Sequence, residues 1–193
     1  MYPIRRFLLA SAVMTIGVLP TVSTQARPAR PLAFRLMGGI AVPTTPGQFR
    51  ANWNLGPNAA ASVAYSLSSR VDVALAVEYG SFGANGSAPS PPAIVTSSHP
   101  TPLWAGWLQT ALSMPNEGLR PRALVGIGVV AHGAARSALG LQAGVGIERS
   151  LGDRIAGYLE TAFAYAFTAD PSRQAGITED LSYAPIRVGL VWR

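Results

Sequence analysis

Large apolar residues fall on every second position through most of this chain. In residues 71–80, VDVALAVEYG, Val71, Val73, Leu75, Val77 and Tyr79 alternate with Asp72, Ala74, Ala76, Glu78 and Gly80. A period of two builds a strand with two unlike faces. The same reading predicts strands over 33–42, 59–67, 103–112, 123–131, 138–149, 155–167 and 184–193, eight in all. In 33–42, Phe34, Leu36, Ile40 and Val42 oppose Arg35, Met37, Gly39 and Ala41. In 138–149, Leu139, Leu141, Val145 and Ile147 oppose Gly140, Gln142, Gly144, Gly146 and Glu148. The pattern is weakest in 103–112, where Trp104, Leu108 and Leu112 mark the apolar side.

The second face decides the class. A soluble β-sandwich buries its apolar face and exposes charge. Here the second face is mostly Gly, Ala and Ser with an occasional charge. Small residues suit the inside of a narrow barrel, because eight strands leave an interior just wide enough for side chains. Large aliphatic and aromatic residues then suit lipid outside, and strands of about ten residues match a tilted membrane crossing. Connections 68–70, 113–122 and 149–154 are short or moderate, whereas 43–58, 81–102 and 168–182 are long. Only 132–137 breaks that alternation. Short periplasmic turns alternating with long extracellular loops mark an outer-membrane barrel. The predicted fold is all-β: an eight-stranded antiparallel up-and-down transmembrane β-barrel.

The run GGIAVPTTPGQFRANWNLGPNAAASVAYSLSSRVDVALAVEYGSF, residues 38–82, resembles the start of the outer-membrane-protein β-barrel family, the small OmpA/OmpX-like and porin-like barrels. Gly38-Gly39 in the first strand, Pro43 in the loop and Arg70 in the following turn carry the resemblance. It covers the whole chain after the leader and implies a fold and a location. Chains of this family finish on an aromatic residue that resembles a signal for the insertion machinery. The closing strand APIRVGLVWR keeps the aromatic at Trp192 but adds Arg193.

Residues 1–26 read as an export signal preceding a barrel domain at 27–193. Arg5 and Arg6 precede a thirteen-residue apolar run, Phe7 to Leu19, and Thr24-Gln25-Ala26 supplies small residues for cleavage. That run is too short for an ordinary spanning helix of ~20 residues. Cysteine is absent, which excludes disulfides, thiolate metal sites, cysteine nucleophiles and a lipid-anchored N-terminus. All fifteen basic residues are arginine, and the net charge of +6 is scattered, with no basic run beyond Arg5-Arg6. A nucleic-acid partner is therefore not expected. Charged residues make up 12 % of the chain, against roughly 25 % in soluble domains, so much of its surface does not face water.

Arg35, Glu78, Glu148, Glu160 and Arg187 fall on lumen positions, and Asp72 joins them near the periplasmic mouth. An unpaired charge there costs several kcal/mol, so these residues must pair. Glu160 and Arg187 are expected to pair on neighbouring strands, and Arg35 lies lower, within reach of Glu148 or Asp72. Such charges either plug the barrel or line an ion-selective path. Tyr79, Phe82, Trp104, Tyr165, Phe167 and Trp192 lie near strand ends and read as interfacial aromatic belts. Phe49, Arg50 and Trp53 are contact candidates in the first long loop, and 87–102 is a Pro/Ser-rich loop.

No catalytic, cofactor or metal site is legible. His132 is followed by Gly, Ala and Ala, so the His–Ser pair used by lipid A deacylase barrels, which share this architecture, is missing. His99 lies in the Pro-rich loop, and no GxSxG or metal-ligand spacing occurs. The expected function is a non-enzymatic outer-membrane barrel: an anchor, a surface-interaction protein or a very narrow pore. Its partners would be outer-membrane lipid and, through the last strand, the insertion machinery, with an unidentified extracellular ligand. The alternatives are a soluble periplasmic lipocalin-like barrel for a small apolar ligand, or a lipid-modifying outer-membrane enzyme.

Overall fold

The alternating segments pair side by side into one antiparallel sheet that closes on itself. The computed structural model describes residues 31–45, 53–84, 101–114, 118–132, 136–167 and 181–193. The strands are β1 (Leu32–Thr45), β2 (Trp53–Asn54), β3 (Gly56–Ser66), β4 (Val71–Ala84), β5 (Thr101–Ser113), β6 (Leu119–His132), β7 (Arg136–Ser150), β8 (Ile155–Phe167) and β9 (Leu181–Trp192). The sheet order is β2-β4-β3-β1-β9-β8-β7-β6-β5, and β4 also pairs with β5. Neither β4 nor β5 is left as an open edge, so the sheet is a closed barrel.

Segment β2 continues the β3 stave. Asn54 pairs with Gly83 and Asn58 with Gly80, so the β2–β3 side carries one extra residue between these pairs, a β-bulge. Gly56 lies inside that bulge. A Cβ there would fall 1.7 Å from the Ser81 carbonyl oxygen, so only glycine permits the approach. With β2 and β3 counted as one stave, the barrel has the expected eight strands.

The expected alternation sets which face turns inward. Leu75 is 68 % exposed and Leu139 72 %, whereas Glu78 is 1 % and Arg187 2 % exposed. Leaving a large aliphatic side chain in water rather than burying it forgoes about 1.5–3 kcal/mol. Repeated around the circumference, that cost requires an apolar surround. A lipocalin-like barrel needs the reverse, with polar residues outside and apolar ones within.

Turns 67–70 and 151–154 lie at one end, where β5 ends and β6 begins, with residues 31 and 193; β1, β4, β6 and β8 end at the other. In the first turn the Leu67 amide donates to the Val71 carbonyl at 2.9 Å, and the Val71 amide to Ser68 Oγ at 3.1 Å. Several strands run beyond their expected ends: β1 to Thr45, β4 to Ala84, and β6 from Leu119. Their Pro- and Gly-containing ends read as loop in isolation. Pairing with a neighbour holds them extended, as Pro43 opposite Tyr183 and Pro121 opposite Ile147 illustrate.

Candidate functional site

Inward-facing side chains fill the barrel in layers. Nearest the short turns, Arg122 on β6 donates to Asp72 on β4 at 2.7 Å and to Glu148 on β7 at 3.3 Å. Arg35 on β1 reaches Asp72 at 3.4 Å, and Ser66 Oγ donates to the same carboxylate at 2.7 Å. Arg193 folds inward to Glu148. Arg35, placed between two carboxylates by the sequence, takes Asp72.

At mid-height, Arg187 on β9 donates to Glu160 on β8 at 2.5 Å and lies 3.4 Å from Glu78 on β4, across the lumen. Asn58 Nδ2 and Trp107 Nε1 each donate to Glu78 at 2.9 Å. Tyr158 ties the two layers together. Its hydroxyl donates to Glu160 at 2.6 Å, while the Arg35 and Arg122 guanidinium carbons lie 5.8 and 5.9 Å from its ring centroid. Cations over an aromatic face are attracted by the ring quadrupole. Beside this, Gln109 Nε2 donates to Gln142 at 2.8 Å.

The bridged charges balance. Arg35, Arg122, Arg187 and Arg193 stand against Asp72, Glu78, Glu148 and Glu160. All but Arg193 are buried. Removing one member leaves an uncompensated buried charge, which costs about 3–5 kcal/mol.

Above the ion pairs the lumen turns apolar. Phe82, Leu103, Val130, Leu181 and Tyr183 form one buried cluster with Trp107 and several alanines. Phe82 and Tyr183 meet edge to face at 5.9 Å. This corrects two expectations. Phe82 is not an interfacial aromatic, because it shares the parity of Glu78 and Gly80 and points inward. The inner face is also not uniformly small: its glycines receive aromatic rings from neighbouring strands. A Cβ on Gly128 would lie 2.6 Å from Trp107 Cε3, one on Gly140 3.0 Å from Trp107 Cη2, and one on Gly146 2.8 Å from the Tyr158 hydroxyl.

The sequence reading named Arg35, Asp72, Glu78, Glu148, Glu160 and Arg187; it missed Arg122, Trp107, Tyr158, Asn58 and Tyr183. Parity carried the missing signal. Trp107 opposes Trp104 and Leu108 in facing, and Arg122 sits one residue before the expected strand start. Outside, Tyr79 packs on Trp104 at 4.7 Å and half-buried Tyr165 on Phe167 at 4.9 Å. Trp192 is exposed. Trp53 opens β2 opposite Ala84; Phe49, Arg50, His99 and most of 87–102 lie outside the described residues. Among the described residues no group of three His, Cys, Asp or Glu is placed to hold a metal ion, and no helix is long and apolar enough to cross a membrane.

No protein-family model matches the sequence, and neither does any curated protein. Solved structures do match. Neisserial surface protein A aligns with a TM-score of 0.59 at 10 % identity, over 83 % of this chain and 96 % of that one. The fold is that of the small outer-membrane β-barrels. Two further outer-membrane barrels align over 84 % of this chain and 98 % of their own. They are the attachment invasion locus protein Ail of Yersinia pestis, at 11 % identity and TM-score 0.49, and the N-terminal barrel domain of Pseudomonas aeruginosa OprF, at 13 % and 0.49. Within this fold, the lumen of the chain holds a balanced ion lattice beneath an apolar cluster.

Proposed function

We propose that the chain is a non-enzymatic integral outer-membrane barrel, exported by residues 1–26, that acts as a closed anchor and presents its long connections at the cell surface. One observation carries this reading: two layers of buried ion pairs and the Phe82–Leu103–Val130–Leu181–Tyr183 cluster occupy the lumen in series. A hydrated ion would have to displace both. Breaking a buried ion pair alone costs about 3–5 kcal/mol. The apolar outer wall supports lipid as the surrounding partner, and the alternation of β9 from Pro185 to Trp192 supports delivery by the insertion machinery.

Planar-bilayer recording of the refolded protein tests this reading. The expected result is a silent bilayer despite verified insertion; discrete conductance steps would replace the anchor with the narrow-pore reading. Sodium carbonate extraction with detergent partition tests the location. A mature chain that stays in the aqueous phase would sink the membrane reading altogether.

A further inference from the structure

The mouth at the short-turn end holds more cations than its carboxylates can match. Arg35, Arg120, Arg122 and Arg193 gather there around Asp72 and Glu148. Both carboxylates are fully engaged. Arg122 and Arg35 share one oxygen of Asp72, and Ser66 Oγ holds the other. Arg122 takes one oxygen of Glu148, and Arg193 takes the other. Arg120 stands opposite Glu148 in register and shares the inward parity of Arg122. Among the described residues it is nonetheless the arginine of this mouth without an ion pair. Its Nη2 donates instead to the Ser69 carbonyl at 2.5 Å.

The same turn collects further unmatched donors. The Ser113 amide donates to the Arg70 carbonyl at 2.7 Å, so consecutive residues of the 67–70 turn hold Ser113 and the Arg120 guanidinium. Ser113 also pairs directly with Arg122 between β5 and β6, and Arg122 donates to Asp72, two residues beyond that turn. Ser113 is 3 % exposed, yet its Oγ has no hydrogen-bond partner, and neither has the Nε of Arg120 or of Arg122. Buried polar groups without a partner are costly, so native interiors rarely leave several side by side. The approach is open. Gly118, exposed two residues before half-buried Arg120, has nothing within 4 Å of its Cβ position.

We infer that this mouth binds a phosphate-type oxyanion, held first by Arg120, with Ser113 and Arg122 behind it. Such an anion supplies the counter-charge that Asp72 and Glu148, already engaged, do not. Its tetrahedral oxygens accept hydrogen bonds from several directions, and the guanidinium fork is well matched to them. Arg120, Arg122 and Ser113 share the parity that faces the lumen, away from the apolar wall. That placement favours a phosphate-bearing solute from the aqueous side over a lipid headgroup. The site lies short of the Arg187–Glu160 layer, so binding needs no path through the barrel. It goes beyond the anchor reading and stands whether or not the wall is embedded in lipid.

Isothermal titration calorimetry of the full mature chain, refolded in an uncharged maltoside detergent, tests the site with inorganic phosphate as the probe. Saturable one-site binding of phosphate is expected, with no counterpart for chloride at matched ionic strength. Arg120→Gln should weaken it about ten-fold, because a charge-assisted contact is lost. Ser113→Ala should weaken it several-fold. Arg154→Gln, which removes an exposed charge in the 151–154 turn, should leave it unchanged. Electrophoretic mobility with and without boiling verifies that each variant is folded. Should Arg120→Gln fail to fold, Arg120→Lys keeps the charge, loses the planar fork and is expected to bind several-fold more weakly than wild type. No saturable phosphate binding by the folded wild type, or equal losses in Arg120→Gln and Arg154→Gln, overturns the proposal. So does an Arg120-dependent phosphatidylglycerol adduct in native mass spectrometry from a chain that does not bind inorganic phosphate. That result would make the mouth a headgroup site.

Discussion

At the scale of single residues, Arg187 and Arg122 carry most of the consequence. Each bridges two carboxylates on different strands, one of them not adjacent in the sheet. Arg187→Ala is expected to destabilise the barrel by about 3–5 kcal/mol, because the buried Glu78 and Glu160 lose a shared cation. Urea unfolding in lipid vesicles, followed by tryptophan fluorescence, would measure this. Arg187→Met combined with Glu78→Gln and Glu160→Gln should recover much of that loss, since neutral groups carry no such penalty. If the triple variant were no more stable than Arg187→Ala, uncompensated charge would not be the cause. Glycine matters through the ring it admits. Gly140→Leu should destabilise by about 1–3 kcal/mol through overpacking on Trp107, whose ring lies 3.0 Å from the Gly140 Cβ position. Adding Trp107→Ala to Gly140→Leu should then cost less than Trp107→Ala does alone in the wild type. Inward parity already assigned the six named charges to the lumen; which carboxylate met Arg35 depended on three strands at once.

At the scale of elements, the seam between β1 and β9 is the structural decision that makes a barrel. Phe34 pairs with Trp192 and Ile40 with Ile186, so the first and last strands remove each other's exposed edges. The approach is close: a Cβ on Gly39 would fall 1.9 Å from the Ile186 carbonyl oxygen, and one on Gly189 2.1 Å from that of Leu36. Backbone cannot yield there as a flexible side chain can. Gly39→Val is therefore expected to cut the folded yield in vesicles severely, whereas Gly38→Val, with nothing within 4 Å of its Cβ position, should fold nearly as well as wild type. Equal yields from the two variants, compared by protease resistance after refolding, would show that the seam is not sterically critical. The eight staves were legible from alternation alone, but their ends were not. Pro43, Pro121 and the Gly83-containing end of β4 look like loop until a neighbouring strand pairs with them.

At the scale of the whole molecule, the filling occurs in series along the axis. The charged layers sit toward the short turns and the apolar cluster toward the long connections. Phe82→Ala with Tyr183→Ala should remove several kcal/mol of packing by cavity formation, at about 3–5 kcal/mol for a large aromatic. The barrel should nonetheless stay electrically silent, because the ion lattice still blocks the path. Conductance in that double variant would show that the apolar cluster alone is the gate. Salt provides a second check. At about 1 M the Debye length falls to ~3 Å, yet buried pairs are screened far less than exposed ones. The unfolding midpoint should shift little between low salt and about 1 M; a large fall would mean that the pairs are open to solvent.

The sequence by itself determined the class of this protein. A period of two, with large residues on one parity and small or charged ones on the other, leaves little choice but an inside-out barrel, since strand geometry makes facing a local property. It also placed Glu160 and Arg187 inside as neighbours, because adjacent strands with similar spans bring nearby heights together. Tertiary structure alone decided what is shared across the lumen. Glu78 reaching Arg187, Arg122 spanning Asp72 and Glu148, Trp107 over Gly128 and Gly140, and Arg193 folding in to Glu148 all depend on shear, tilt and closure. Those are properties of the closed sheet and of no single strand, so local alternation cannot encode them.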